Sequence, residues 1–260
     1  MAAAAYIDAV RQMIDRIEKT QMDDILKGAL LVADSVQNGG VVFGFGTGHS
    51  HMIAEEMVGR AGGLVQVQGI LETELMVHIN ETQATCLERL PGLAHVYLTN
   101  SPVEAGDVLV VISNSGRNAV PVEMAMEGTR MGLHVIAVTN VAHSQGTPSR
   151  HPSGKRLFEV ADLVLDTCGV PGDALVAISG STSKAGPGST IAGALLVNSM
   201  MAEAIELLVA RGALPGVLHS SNSDDRAGAL ENAQIASEFS RRLCDRVVRM
   251  QRRVREDLAD

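Results

Sequence analysis

Two loops of small, hydroxyl-bearing residues are the places in this chain where chemistry is most readily built. The first, Gly44-Phe45-Gly46-Thr47-Gly48-His49-Ser50, follows the apolar Val41-Val42-Phe43 and runs into His51-Met52-Ile53-Ala54-Glu55-Glu56-Met57. The second, Ser113-Asn114-Ser115-Gly116-Arg117-Asn118, follows Val108-Leu109-Val110-Val111-Ile112 and runs into Ala119-Val120-Pro121-Val122-Glu123-Met124. An apolar run that gives way to glycine and hydroxyls, and then to a helical pattern, marks a strand–loop–helix junction. In a parallel sheet both loops end at the carboxyl edge, where small residues let backbone N–H groups converge on an anion at a helix N-terminus. We read that edge as a phosphate site with Gly46, Thr47, Gly48, His49 and Ser50 on one wall, and Ser113, Asn114, Ser115, Arg117 and Asn118 on the other. A third small-residue stretch, 179–190, precedes a strongly apolar helix and offers Ser189 or Thr190 as an N-cap and a further ligand.

Other nucleotide and nucleophile motifs do not fit. His49 stands where a dinucleotide fingerprint requires its third glycine. No glycine-rich loop ends in Gly-Lys-Ser or Gly-Lys-Thr, and there is no G-x-S-x-G elbow. Neutral hydroxyls and amides suit a monoanionic ester such as a sugar phosphate better than a triphosphate with magnesium.

The elements that must position these loops follow from periodicity and punctuation. Ile7, Val10, Ile14 and Ile17 recur at helical spacing, a second helix is expected over 22–36, and Asn38-Gly39-Gly40 closes it. Strands are expected at 41–44, 107–112, 132–139 and 163–166, with a weak one at 64–67 and a short one at 174–178. Helices are expected over 46–60 and 118–131, the latter within a βαβ unit. Between 69 and 93 the residues Glu72, Glu74, His78, Glu81 and Glu88 suggest a helix with a polar face, each most simply a solvated group. The segment 140–156, broken by Gly146, Pro148, Pro152 and Gly154, reads as a long loop, and such loops are often functional. The tail, 224–260, reads as one helix with Ile235, Phe239, Leu243, Val247, Met250 and Val254 on its packing side, and arginines that meet acidic groups of the chain or of a partner subunit.

Composition narrows the classes. With 260 residues and no linker, the chain reads as one α/β domain with N-terminal helices at 1–38, a core at 39–211 and a C-terminal helix at 222–260. Aromatics are 2% with no Trp, which favours a core of aliphatic residues and the 12 Met, and argues against a base-stacking surface. The formal net charge of −9 opposes nucleic-acid binding. Cys86, Cys168 and Cys244 lack paired spacing and read as reduced thiols in a cytoplasmic protein, and His49 with His51 is too little for a metal site. No cofactor or metal is expected. No secretion signal is expected at the N-terminus, and no stretch is expected to span a bilayer.

These residues carry a family resemblance. Ser113-Asn114-Ser115-Gly116-Arg117-Asn118 resembles the Ser-x-Ser-Gly-x-Thr phosphate loop of SIS, or sugar isomerase, domains, with Asn118 in place of the last Thr. The first loop with Ala54-Glu55-Glu56-Met57-Val58-Gly59-Arg60 is similar to the glycine-rich loop and Ala-Glu-Glu-Leu-x-Gly-Arg helix of phosphoheptose isomerases. The Arg150-His151-Pro152-Ser153-Gly154-Lys155 segment resembles that of single-domain SIS proteins. The resemblance covers 39–211 and implies a three-layer αβα sandwich around a five-stranded parallel sheet, with extra helices at both ends and a dimeric or tetrameric assembly.

What it implies for chemistry is aldose–ketose isomerisation of a phosphosugar, or a related eliminase or deaminase step. Glu56 is the first choice for base, with Glu55 as its neighbour, and Glu74 and His78 on the opposite side of the substrate. Arg150, His151, Ser153 and Lys155 are expected to close over the sugar as a lid. The chain departs from phosphoheptose isomerases in the late helix, which holds no histidine and offers Asn198 and Glu203 instead. The alternative reading is a non-catalytic phosphosugar-sensing module.

Overall fold

In the computed structural model, which describes residues 1–258, five strands form one parallel sheet. They are β1 (Val42–Gly46), β2 (Val67–Ile70), β3 (Val108–Ile112), β4 (His134–Thr139) and β5 (Leu163–Asp166), in the order β2-β1-β3-β4-β5. Both faces of the sheet are covered, so β1 and β3 read as unbroken apolar runs rather than alternating ones. Val108, Val110 and Ile112 face one layer, built by α1 (Ala2–Gln37), α2 (His51–Glu56) and α7 (Ser189–Ala210). Leu109 and Val111 face the other, built by α4 (Leu93–Thr99), α5 (Ala119–Arg130) and α8 (Arg226–Asp257). This is the expected three-layer αβα sandwich with additional terminal helices.

Several boundaries differ from expectation for identifiable reasons. The two N-terminal helices are one, because nothing between them breaks the backbone ladder and Thr20 Oγ1 donates to the Arg16 carbonyl (2.8 Å) within it. Its buried side, with Met13, Ile17, Ile25, Ala29 and Val32, packs on α7 and the sheet. At Gly28 an added Cβ would stand 2.7 Å from Met200 Sδ, so the helices cross closely there and a larger residue would have to displace Met200. Helix α2 stops at Glu56, well before the expected residue 60. The weak strand at 64–67 is displaced to β2, with Leu64 instead bridging Val217. The polar region resolves into a 3-10 turn, Thr73–Leu75, and helix α3 (Val77–Leu87), and α4 forms where no helix was expected. The loop at 140–156 opens with a short helix, α6 (Val141–Gln145), capped by Asn140.

The segment at 174–178 becomes β6 (Ala174–Ala177), but it pairs antiparallel with β7 (Lys184–Pro187) in a separate two-stranded sheet. The left-handed Gly180 (φ 79°) lies in the turn between them, so the third hydroxyl-rich stretch holds a hairpin turn and β7 ahead of α7, and is not a third strand–loop–helix junction of the main sheet. Helix α7 is, by length and composition alone, long and apolar enough to cross a membrane, contrary to expectation. Its Ala192, Leu196, Val197, Met200 and Ala204 are core residues against α1, which accounts for that apolarity.

The arginine-rich tail behaves as a packing helix. Phe239 is buried, and Ile235, Leu243, Val247, Met250 and Val254 are half-buried. Arg246 donates to Asp107 Oδ2 (2.7 Å), Arg249 to Glu104 (2.7 Å), and Arg242 and Arg246 to the Gly39 carbonyl. The last two residues of the expected 224–260 helix, 259 and 260, lie outside the described residues.

Asp107 is fully buried, and it also accepts the N–H groups of Val41 (2.9 Å) and Glu104 (2.7 Å), so it joins the start of β1 to the start of β3. Removing one partner of a buried ion pair leaves the other charge uncompensated. Arg246→Ala is therefore expected to lower unfolding free energy by about 3–5 kcal/mol, measured by urea denaturation. A loss below about 1 kcal/mol, typical of exposed pairs, would contradict that account of the contact.

Candidate functional site

Strand order reverses direction between β1 and β3, and ligands of open α/β sheets bind at such a switch point, outside the carboxyl ends of the strands. Both expected loops lie there. After β1, Gly46 cannot carry a side chain, since a Cβ would meet the Ser50 carbonyl oxygen at 2.5 Å as the chain curls into α2. After β3, Gly116 takes the left-handed conformation (φ 57°), where a Cβ would stand 2.8 Å from Thr139 Oγ1. Ser113 Oγ accepts the Gly116 N–H (3.2 Å) and fixes the turn. Among the described residues, the N–H groups of Ser115, Arg117 and Asn118 have no protein acceptor, which leaves a nest of amides at the start of α5.

The two loops are joined by a residue that the sequence reading left among solvated groups. Glu88, at the end of α3, accepts Thr47 Oγ1–H (2.7 Å) on one oxygen and Asn118 Nδ2–H (2.7 Å) on the other. Thr47 and Asn118 are thus structural ties as well as loop residues. Arg150 donates to Asn118 Oδ1 (2.9 Å), and its own N–H reaches the Arg117 carbonyl (2.8 Å). Deeper in the edge, Ser50, Ile53, Asn114, Thr167 and Ser189 line a small cavity. Asn114 Oδ1 and Thr167 Oγ1 are buried there without a hydrogen-bond partner.

The remaining candidates divide. His49 is exposed beside Gly48, whereas His51 is buried. The His51 Nδ1 sits 3.2 Å from the Gly46 carbonyl oxygen and its Nε2 is 3.5 Å from Glu55. Burial holds this imidazole below its ordinary value of 6.5, against the pull of the Gly46 carbonyl and Glu55, and the nearby His78 adds to the depression. Glu56 points another way: its Oε1 takes both the Arg60 guanidinium and Asn198 Nδ2–H (2.9 Å), in a cleft between the end of α2 and α7. Glu74 accepts the Tyr97 hydroxyl (2.8 Å), and hydrogen bonds from its own backbone and from Tyr97 hold it below the usual carboxylate range. His78 is exposed.

The expected lid is mostly tied down. His151 Nε2 is 3.4 Å from Glu123 of α5 and its Nδ1 is 2.7 Å from Ser153 Oγ, while Ser153 Oγ accepts the Lys155 N–H (3.2 Å). These are the contacts of a self-bonded turn, and of its four candidates Arg150 alone contacts the loop at 113–118. Ser189 is also committed, because Asp173 accepts its N–H (2.8 Å), its hydroxyl (2.7 Å) and the Gly188 N–H (3.1 Å), so a carboxylate of the chain already caps α7. Thr190 is half-buried in the first turn of α7.

This architecture and edge define a class that comparison with known proteins identifies. Residues 5–140 match the SIS domain family. The UPF0309 protein BH3325 of Halalkalibacterium halodurans is 45% identical over 234 residues, covering 90% of this chain and 96% of the relative. The UPF0309 protein SCO4393 of Streptomyces coelicolor is 40% identical over 246 residues, covering 93% and 96%. The chain therefore belongs to the SIS domain family and shares its sequence over most of its length with the UPF0309 proteins. Two phosphoheptose isomerases have the same fold. That of Neisseria gonorrhoeae has TM-score 0.52 and 20% identity over 78% of this chain and 97% of its own. That of Francisella tularensis has TM-score 0.54 and 16% identity over 78% and 96%.

The depressed His51 makes a sign-definite prediction. The unfolded chain, with an ordinary imidazole, binds its proton more readily, so the stability from burying neutral His51 is complete above pH 6.5 and is lost as pH falls through the lower native value. The native-minus-His51→Gln difference in unfolding free energy is expected to shrink from pH 7.5 to pH 5.0. An imidazole titrating at or above 6.5 by NMR would contradict this.

Proposed function

We propose that the protein binds a phosphorylated sugar with the phosphate on the 113–118 loop, and moves a proton between the carbons beside its carbonyl. The observation that carries this reading is the nest itself: a left-handed Gly116, free amides at Ser115, Arg117 and Asn118, and hydroxyls at Ser113 and Ser115 at the switch point. Such donors hold a phosphate without a lysine or a metal.

Glu56 is the base in this reading. The pairing with Arg60 favours its ionised form, and the Asn198 amide fixes its direction, both through Oε1. Oε2 is the oxygen left to take the proton from the carbon next to the carbonyl and return it to the neighbouring carbon, by way of an enediol. Asn198 occupies the late-helix role for which the sequence offered no histidine. Glu55 is turned instead toward His51, 3.5 Å from its Nε2, and is the second choice for the base.

Exchange of solvent deuterium into a panel of hexose, heptose and amino-sugar phosphates, with the intact protein, tests both halves. Glu56→Gln is expected to cut exchange by about 10²–10⁴-fold with little change in affinity. Ser115→Ala is expected to weaken binding by about tenfold, the value of one charge-assisted hydrogen bond. Binding without exchange for any sugar would overturn the catalytic half and favour the sensing module. Absence of binding across the panel would overturn the whole reading.

A further inference from the structure

Seven of the 17 arginines make ion pairs among the described residues. Arg60 meets Glu56, Arg156 meets Glu159, Arg211 meets Asp34, and Arg246 and Arg249 meet Asp107 and Glu104. Three at the mouth of the serine loop do not. Arg117 lies in the loop, Arg150 reaches across to Asn118, and Arg89 follows Glu88 at the end of α3. Among the described residues none of the three makes an ion pair within 4.0 Å. Glu88 is the carboxylate whose charge acts on Arg150, and both of its oxygens are already turned to Thr47 and Asn118.

The cluster is close enough to be felt by its members. Burial, then the charges of Arg117 and Arg89, press the Arg150 guanidinium below its ordinary value, with Glu88 opposing them. Arg117 is half-buried, and its Nε is buried with no hydrogen-bond partner. Holding three like charges together around one committed carboxylate is unfavourable unless an anion completes the group. The phosphate of a ligand has the serines and amides of the nest for its own oxygens. The Arg150 guanidinium stands at the Asn118 end of that nest, where Glu88 ties Asn118 to Thr47 of the first loop.

We propose that Arg89, Arg117 and Arg150 form a second anion subsite beside the phosphate nest, so that the preferred ligand is a sugar phosphate bearing another anionic group, a carboxylate or a second phosphate. Guanidiniums bind either group through paired N–H donors. The inference rests on the phosphosugar reading and narrows its substrate class to phosphorylated sugar acids and sugar bisphosphates.

Isothermal titration of the intact protein at fixed physiological salt tests it with three probes: glucose 6-phosphate, 6-phosphogluconate and fructose 1,6-bisphosphate. One or both doubly anionic probes are expected to bind at least about tenfold tighter than glucose 6-phosphate, and the two arms tell carboxylate from phosphate. That ratio should fall to within about twofold of one in Arg89→Gln and in Arg150→Gln, and persist in Arg241→Gln, an exposed arginine of α8 that controls for bulk charge. Arg89 is exposed, so its variant carries little risk to folding. Equal affinities for all three probes, still weakened by Ser115→Ala, would overturn the second subsite and leave the nest standing. A preference that survives both arginine variants would overturn it as well. Failure of every probe to bind would overturn it together with the reading on which it rests.

Discussion

Five strands that all run the same way can finish only along one edge of their sheet, and that constraint organises the molecule. Parallel pairing requires a crossover between successive strands, and each crossover begins where a strand ends. The first turns of α2 and α5 are therefore brought to the same edge, on opposite faces of the sheet, although His51 and Ala119 stand 68 positions apart in the chain. Reversal of strand order between β1 and β3 opens a crevice between them. Gly46 lies hard against the Ser50 backbone, and left-handed Gly116 lies against the hydroxyls of Thr139 and Ser144, so each loop turns where a side chain would not fit without strain.

The two edges are built differently. At the amino edge, Asp107 gathers backbone N–H groups and Arg246 into a satisfied, buried cluster that binds the C-terminal helix to the sheet. At the carboxyl edge, polar groups are left with unused capacity: Asn114 Oδ1, Thr167 Oγ1, Arg117 Nε and the amides of the nest. Buried polar atoms without partners are costly to keep. Their concentration at the switch point separates the part of the structure that provides stability from the part suited to a ligand. Glu88 bridges these requirements, spanning both loops, while Arg89, Arg117 and Arg150 make no ion pair among the described residues.

Much of this was legible because local pattern and tertiary role coincided. The apolar runs of β1, β3, β4 and β5, the glycine-serine punctuation after β1 and β3, and the packing stripe of α8 from Ile235 to Val254 each report an environment that neighbouring residues share. What was not legible depended on long-range geometry. Nothing local shows that α1 continues through Lys19 and Thr20, since only the tertiary packing of its buried side reveals one rod. The small-residue run at 179–190 looks like another junction, yet β6 and β7 pair with each other and Asp173 caps α7 from 16 residues away. Likewise the fork between Glu55 and Glu56 is one of helix face, decided by His51 on one side and Asn198 on the other. Glu88 read only as one more solvated group of a polar helix face and Arg89 gave no signal, because their meaning comes from Thr47, Asn118 and Arg150, each distant in sequence.

The whole account turns on whether the nest after β3 receives an anion. The most direct measurement is a crystal grown with tungstate, a tetrahedral phosphate mimic that can be located by its anomalous scattering. A peak within hydrogen-bond reach of the Ser115 and Arg117 amides and the Ser113 and Ser115 hydroxyls is the predicted result. A tungstate bound only elsewhere, in the Glu56–Asn198 cleft or among the arginines of α8, with none at the nest, would contradict it.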